Sequence, residues 1–364
     1  MSDHIKLYIP GPIEVSEDTL QALTHPMIGH RSGDYQKLHA SVQPGLKELF
    51  GTDRKVYLST SSAWGVMEGA IRNLVGKKVL NCCCGAFSDK WYDVSLRCGK
   101  QAEELKVEWG QAITPELIKE RLSTGEFDAI TLVHNETSTG VLNPLAEIAA
   151  LKAEFPQVMF IVDTVSSFST QAMEFDAWGI DLMLTGTQKA LALPPGLALF
   201  VASQAALDKA ANIEGRGYYF DLLEFERNAE KDMTPSTPTI ALIFALKHKL
   251  EQIQAEGLEQ RFARHTQLNA MVAQWVEDNG FEQFAPEGYR SVGLTCVANN
   301  RDIDVVALNS HLKKNAKIMI NGGYGKIKGS TFRISNMGDE TEESMNYVLE
   351  ALDAALAAQA AASV

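Results

Sequence analysis

Two hydrophobic periods take turns between residues 61 and 203, and few folds accept that pattern. In "SSAWGVMEGAIRNL" the residues Val66, Met67, Ala70, Ile71 and Leu74 fall on one face at helical spacing, behind serines able to cap the first turn. The stretch that follows, "KVLNCCCGAF", lacks that period and reads as a short buried strand. The pattern then recurs. "TPELIKERL" is a helix with Thr114 as its cap and Pro115 at its first position, "FDAITLVHNE" a strand, "NPLAEIAALKAEF" a helix and "VMFIVDTVSS" a strand. Strands apolar on both faces and separated by helices predict an α/β fold, with a mainly parallel sheet covered on each side. Ligands gather beyond the carboxyl ends of such strands, so the polar residues after each strand are the informative ones.

From residue 240 the pattern changes. A long helical stretch to residue 280 gives way to short strands, "VGLTCVA" and "TFRISNMG", and a closing helix from about Thr341. This predicts a large domain over residues 1–260 and a smaller α+β domain over residues 261–364, a division that suits 364 residues. A net charge of −13 repels phosphate backbones and anionic lipid surfaces, which predicts neither nucleic-acid nor membrane partners. No apolar run approaches the roughly 18 residues of a membrane span. The start, "MSDHIKLYIPGP", lacks a basic segment followed by an apolar one, and a cytoplasmic location is expected. Cys82, Cys83 and Cys84 fit neither a disulfide framework nor a metal-site spacing, and read as small hydrophobes on a buried strand.

Two strand ends carry charges. "MFIVD" runs four apolar residues into Asp163, a carboxylate that needs a cation or strong donor if buried. "DLMLTG" ends just before "TQK", so Lys189 lies on the turn leading to the strand "LALFVAS". An apolar site disfavours the charged form of lysine and leaves more of it neutral and nucleophilic, as imine chemistry with an aldehyde requires. Pyridoxal phosphate uses such a lysine together with an acid that keeps its ring nitrogen protonated. "STSSAWG" supplies a third element, the Ser62 hydroxyl with the Ala63 and Trp64 N–H groups at a helix N-terminus, suited to a phosphate.

The segments "STSSAWGVMEGAIRN", "GAFSDKW", "VHNETSTGVLNPL", "IVDTVSSF", "GIDLMLTGTQKALALPPG" and "FRISNMG" occur in an order and spacing that resemble the class V aminotransferases, specifically the alanine/serine–glyoxylate aminotransferase group. The resemblance runs from "PGPIEV" to the final helix, and its most specific part is "TGTQKALALPPG" with an aspartate 26 residues upstream of the lysine. It implies the fold type I of pyridoxal-phosphate transferases, with a seven-stranded sheet and residues 1–20 packed near the site. It implies Lys189 as the imine-forming lysine and proton shuttle, and Asp163 as the partner of the ring nitrogen. Phe87 would stack on the ring, where family members often have tryptophan; Thr137 would reach the ring oxygen. Gln188, Ser62, Ala63 and Trp64 would hold the phosphate, although relatives often carry a glycine and a histidine in that turn. Arg333 would grip the substrate carboxylate. Thr237, and less directly Thr234, which stands where many relatives have tyrosine, would reach the phosphate of a neighbouring subunit, so a homodimer is implied.

The expected activity is therefore transfer of an amino group from alanine, serine or aspartate to a 2-oxo acid such as glyoxylate or pyruvate, by ping-pong half-reactions. Alternatives are a phosphoserine aminotransferase of the same class, a desulfurase using Cys98 or Cys296, and a subunit of this fold without catalysis. His30 and Arg31 in "MIGHRSGDY" read either as surface loop or as a pair recognising a second anionic group on the substrate, and a similar pair occurs in phosphoserine aminotransferases and serine–glyoxylate relatives. Gly322, Gly323 and Tyr324 in "INGGYGKIKG" read as a flexible loop over the site or a plain hairpin turn.

Overall fold

In the computed structural model, which describes residues 4–362, the central sheet has seven strands. They are β1 (Tyr57–Ser59), β2 (Lys78–Cys83), β3 (Gln101–Lys106), β4 (Ala129–Val133), β5 (Met159–Asp163), β6 (Leu182–Gly186) and β7 (Ala198–Ala202). Their spatial order is β1-β7-β6-β5-β4-β2-β3, parallel from β6 through β3, with β7 antiparallel to both of its neighbours. Parallel neighbours need a crossover, and the helices Ala86–Arg97, Pro115–Leu122 and Leu145–Ala149 supply crossovers between successive strands. Between β6 and β7 no helix intervenes. The strands turn back through residues 187–197, and that turn carries Lys189.

The two faces of the sheet explain the unbroken apolar strands. Leu80, Cys82, Ile130, Leu132, Phe160, Val162, Leu199 and Val201 join one core, with the helices Gly33–Phe50 and Ile240–Glu256. The intervening residues Val79, Ala129, Val133, Ile161, Leu184, Ala198 and Phe200 join the other, under the helix Ala63–Leu74 with its Val66, Met67, Ala70, Ile71 and Leu74. Alternate side chains thus point to opposite faces and both faces are buried. Cys82, Cys83 and Cys84 are buried free thiols. The stretch 143–155 is less regular than its pattern suggests: the helix Leu145–Ala149 tightens into a 3₁₀ turn over Ala150–Ala153, just ahead of Pro156, whose ring disfavours helical conformation in the residue before it.

The long helical stretch breaks at Gly257, whose φ of +85° and close approach to Gln260 divide Ile240–Glu256 from Leu258–Asp278. A separate three-stranded antiparallel sheet, Glu282–Gln283, Leu294–Ala298 and Thr331–Ser335, follows. Its Val297, Phe332 and Ile334 pack with Leu268, Val272, Leu308, Leu312, Val348 and Leu352 of three flanking helices, and Tyr8 from the start of the chain joins them. The N-terminal strand Lys6–Leu7 pairs with Ile318–Met319, a pairing too short to leave a periodic signal. No helix among the described residues is long and apolar enough to cross a membrane.

Asp181 anchors the amino end of the sheet, opposite the strand ends that carry Asp163 and Lys189. Its carboxylate accepts from the Phe160 N–H at 2.8 Å, from the Ser203 hydroxyl at 2.9 Å and from the Lys152 ammonium. Removing it leaves the buried Phe160 N–H without its acceptor and the Lys152 ammonium, which also donates to the Val158 carbonyl, without its counter-charge. D181A is therefore expected to lower the unfolding free energy by about 3 kcal/mol, read from the urea midpoint at unchanged slope. A loss below about 1 kcal/mol, the typical net worth of one neutral hydrogen bond, would refute this anchoring role.

Candidate active site

Asp163 is the last residue of β5 and is 6% exposed; its Oδ1 accepts from the Val165 N–H at 2.7 Å. Burial pushes its carboxyl up to about 7, with the Glu136 charge adding to the shift and the Val165 N–H and Lys189 opposing it. Lys189 follows β6 and is 8% exposed. Burial pulls its ammonium down to about 7, helped by repulsion from Arg333 and resisted by Asp163 and Glu136. An amine and an acid therefore share one dry space, each with an accessible neutral form near neutral pH.

The start of the chain closes over the lysine. Lys189 Nζ donates to the Pro10 carbonyl, and the Ile13 N–H donates to the Gln188 carbonyl at 3.1 Å. Gly11 sits between them at φ +112°, where a Cβ would lie 2.5 Å from Lys189 Cδ and 2.8 Å from Nζ. Only glycine leaves that side chain its place.

Arg333, on Thr331–Ser335 and 4% exposed, reaches this space from the second sheet. Its Nε and Nη2 donate to Asn321 Oδ1 at 3.2 and 2.8 Å, and its Nη1 donates to the Thr137 carbonyl at 2.6 Å. A guanidinium has five N–H bonds, so one remains on each terminal nitrogen, the pair that can take both oxygens of a carboxylate. Thr137 Oγ1 lies 2.5 Å from Ser166 Oγ.

Glu136 escaped the sequence reading. It is fully buried at the N-terminus of the helix Ala86–Arg97, where its carboxylate accepts from the Phe87 N–H (3.3 Å), the Ser88 N–H (3.0 Å) and the Ser88 and Ser138 hydroxyls (2.9 and 2.6 Å). A negative charge is favoured at that helix end, and here it fixes the turn that presents Phe87. The one available signal was its position, a carboxylate directly after a buried strand in "LVHNE". His134 was likewise passed over. Burial drops its imidazole to about 3, and its Nδ1 lies 2.9 Å from Ser167 Oγ.

Ser62 occupies the N-cap of the helix Ala63–Leu74, but its side chain makes no cap bond, which leaves the hydroxyl and the Ala63 and Trp64 N–H groups without an acceptor inside the helix. This corrects the capping role expected of the serine. Phe87 lies half-buried with its ring stacked on Tyr324, centroids 5.3 Å apart at 20°. Gln188 is half-buried next to the lysine, and Thr237 is exposed. Thr234 is buried and donates to the Ser236 carbonyl at 2.8 Å. Arg31 donates to the Thr234 and Pro235 carbonyls at 2.8 and 3.0 Å, tying the helix Gly33–Phe50 to the loop bearing Thr237. Among the described residues no contact joins His30 or Arg31 to Lys189, Asp163 or Arg333. Neither cysteine suits a desulfurase: Cys296 is 2% exposed and pushed up to about 12 by burial, and burial also raises the half-buried Cys98.

The family model for aminotransferase class-V matches residues 19–348. An uncharacterized aminotransferase of Methanocaldococcus jannaschii is 36% identical over 96% of this chain and 92% of its own, and a protein named as the small subunit of a soluble hydrogenase of a Synechococcus species is 34% identical over 98% and 94%. Further curated relatives are named aspartate–, serine– and alanine–glyoxylate aminotransferases. The crystal structure of an alanine–glyoxylate aminotransferase from a Nostoc species superposes with a TM-score of 0.92 at 29% identity, covering 98% of this chain and 96% of that one.

Between about 7 and the ordinary lysine value of 10.5, the unfolded chain holds a proton on residue 189 that the folded chain lacks. Stability contributed by Lys189 therefore rises with pH across that window, and the residue destabilises the fold most below it. In cofactor-free protein K189M is expected to be more stable than wild type at about pH 6, with the gap closing toward about pH 10. Urea titrations across that range measure it, and a gap that widens with pH contradicts a depressed lysine.

Proposed function

The chain belongs to the class-V aminotransferase family, and from that premise we propose that it moves the amino group of a small amino acid (alanine, serine or aspartate) to a 2-oxo acid such as glyoxylate or pyruvate, with pyridoxal phosphate as cofactor, in ping-pong half-reactions. The observation that carries this reading is the buried amine of Lys189, brought down to about 7, beside the buried carboxyl of Asp163. The residues present fit the cofactor: a nucleophilic amine, an acid, an unfilled helix N-terminus and an aromatic face are the donor set it requires. When bound, pyridoxal phosphate supplies an aldehyde that joins an amine and a ring that accepts electrons from the substrate carbon.

The chain's own groups do the rest. Ser62, Ala63, Trp64 and Gln188 would hold the phosphate, joined by Thr237 across a homodimer interface, while Phe87 would stack on the ring and Thr137 would reach its oxygen. Asp163 would keep a proton on the ring nitrogen, and a cation against it favours its ionised form. Lys189, neutral for part of the population near pH 7, can both attack a carbonyl and carry a proton on Nζ. The two remaining N–H bonds of Arg333 would grip the substrate α-carboxylate, with Asn321 and the Thr137 carbonyl fixing the fork. The enzyme would work as a homodimer in the cytoplasm, without nucleic-acid or membrane partners, as its net charge of −13 suggests. A phosphoserine aminotransferase of the same class is the alternative reading, and the His30–Arg31 pair, which has counterparts in both groups, does not decide between them.

Wild-type protein loaded with pyridoxal phosphate is expected to show a visible absorbance band and to transaminate at least one of alanine, serine and aspartate with glyoxylate, pyruvate or 2-oxoglutarate. K189A should lose the band and at least about 1000-fold in turnover, the scale expected when one group is both nucleophile and proton carrier. A K189A protein that keeps both refutes the assignment.

A further inference from the structure

We propose that Tyr324 sets the size of the donor's side chain, admitting small amino acids and turning away larger ones. The inference rests on the aminotransferase reading and deepens it. Tyr324 touches both groups that would orient a donor. Its ring stacks on Phe87, the expected ring platform, with centroids 5.3 Å apart, and the Arg333 guanidinium carbon lies 5.5 Å from the Tyr324 centroid, within cation–π range. A ligand whose carboxylate sits on the two free N–H bonds of Arg333 must place its remaining atoms next to this phenol ring. Tyr324 is also 44% exposed, whereas Phe332, on the adjoining strand, is fully buried. Its ring is thus not part of the core that holds the second sheet together.

The loop holds the ring as a wall. Gly323 has φ +83°, and a Cβ there would meet the Thr331 and Ile327 carbonyl oxygens at 2.7 and 2.8 Å. Gly325, on the other side, has φ +57° and a Cβ would lie 3.0 Å from Trp109. The loop is closed by main-chain bonds from Ile327 to Tyr324 (3.3 Å), Lys328 to Gly325 (3.2 Å) and Gly329 to Gly322 (3.2 Å). It is pinned from outside by Lys326, whose ammonium lies 4.3 Å over the Trp109 ring, while Trp109 Nε1 donates to Asp89 at 3.1 Å. These contacts fix the backbone that carries Tyr324, and the stacking on Phe87 and the cation–π contact with Arg333 hold its ring. A methyl or hydroxymethyl side chain clears the ring; a branched or aromatic one meets it, so of the three candidate donors this wall favours alanine and serine over aspartate, whose side chain is nearly isosteric with that of leucine. Small differences in pocket size discriminate by roughly 10- to 200-fold per methylene, so one ring is enough to sort leucine from alanine.

The test compares kcat/KM for alanine and for leucine, with glyoxylate as acceptor, in pyridoxal-phosphate-loaded wild type, Y324A and Y324F. Y324A is expected to raise the leucine-to-alanine ratio at least about 10-fold, chiefly through a lower KM for leucine, within the range that a change of pocket size commands. Y324F, which keeps the ring, should keep the wild-type ratio. The visible band should be equal in all three, which separates a change of pocket from loss of cofactor. A ratio unchanged in Y324A, or shifted as much in Y324F as in Y324A, overturns the role of Tyr324 in an active enzyme. Wild type that transaminates no donor overturns the aminotransferase reading instead.

Discussion

The burial of one amine and one carboxyl in the same dry space is the constraint from which the rest of the structure follows. Removing either ion from water costs several kcal/mol, and mutual attraction returns that only with good geometry and further hydrogen bonds. Here the offset is partial. Asp163 has one main-chain donor and Lys189 one main-chain acceptor, and both groups are shifted toward their neutral forms. A scaffold that tolerates this needs a large core, and the sheet supplies one by burying both of its faces. The same shifts that burden the fold leave more of the amine neutral, so the destabilising feature is also the one that the proposed chemistry would use.

Position is enforced from several directions. β5 and β6 run parallel as neighbours, with Asp163 opposite Leu184 and β6 ending two residues later at Gly186, which brings Asp163 and the turn after Gly186 to one edge. Arg261, 1% exposed, then ties that edge down. Its Nη2 donates to the Ala190 carbonyl at 2.5 Å and its Nε to Ser169 Oγ at 2.7 Å, so one side chain links the residue after Lys189 to the turn after Asp163. Its charge is met by Glu256, which also pairs with Arg264, and Arg264 in turn donates to the carbonyls of Gly338 and Glu340 beyond the Arg333 strand. The helix Leu258–Asp278 therefore holds the lysine turn and the arginine strand in one register.

Much of this was legible in the chain. Asp163 and Lys189 stood out because an apolar run ending in a charge is energetically conspicuous, and the helix Ala63–Leu74 because its apolar residues keep helical spacing. What stayed hidden depends on partners far away in sequence. Glu136 matters through N–H groups of the turn at Phe87 and Ser88, and no periodicity announces that pairing. Arg31 stayed open between a surface-loop side chain and an anion-recognising one, because an arginine in a loop carries no sign of whether main-chain carbonyls occupy it. The strands Lys6–Leu7 and Ile318–Met319 are two residues each, below the length at which alternation can be read.

The architecture also separates two tasks. The groups that would make bonds are Asp163, at the end of β5, and Lys189, on the turn after β6, with Gly11 packed against Lys189 and Arg261 bonded to the Ala190 carbonyl and to Ser169. The groups that would choose the donor, Arg333, Asn321 and Tyr324, belong to the second sheet and its loop, and they meet the first set through the Thr137 carbonyl and the Phe87 ring. A substitution at Lys189 or Asp163 changes the buried charge balance that both groups share. A substitution at the half-exposed Tyr324 disturbs one stacked ring and one cation–π contact. Donor preference in such a layout can change at low structural cost while the chemistry is held fixed, and relatives with closely similar folds can then differ in the amino acid they use.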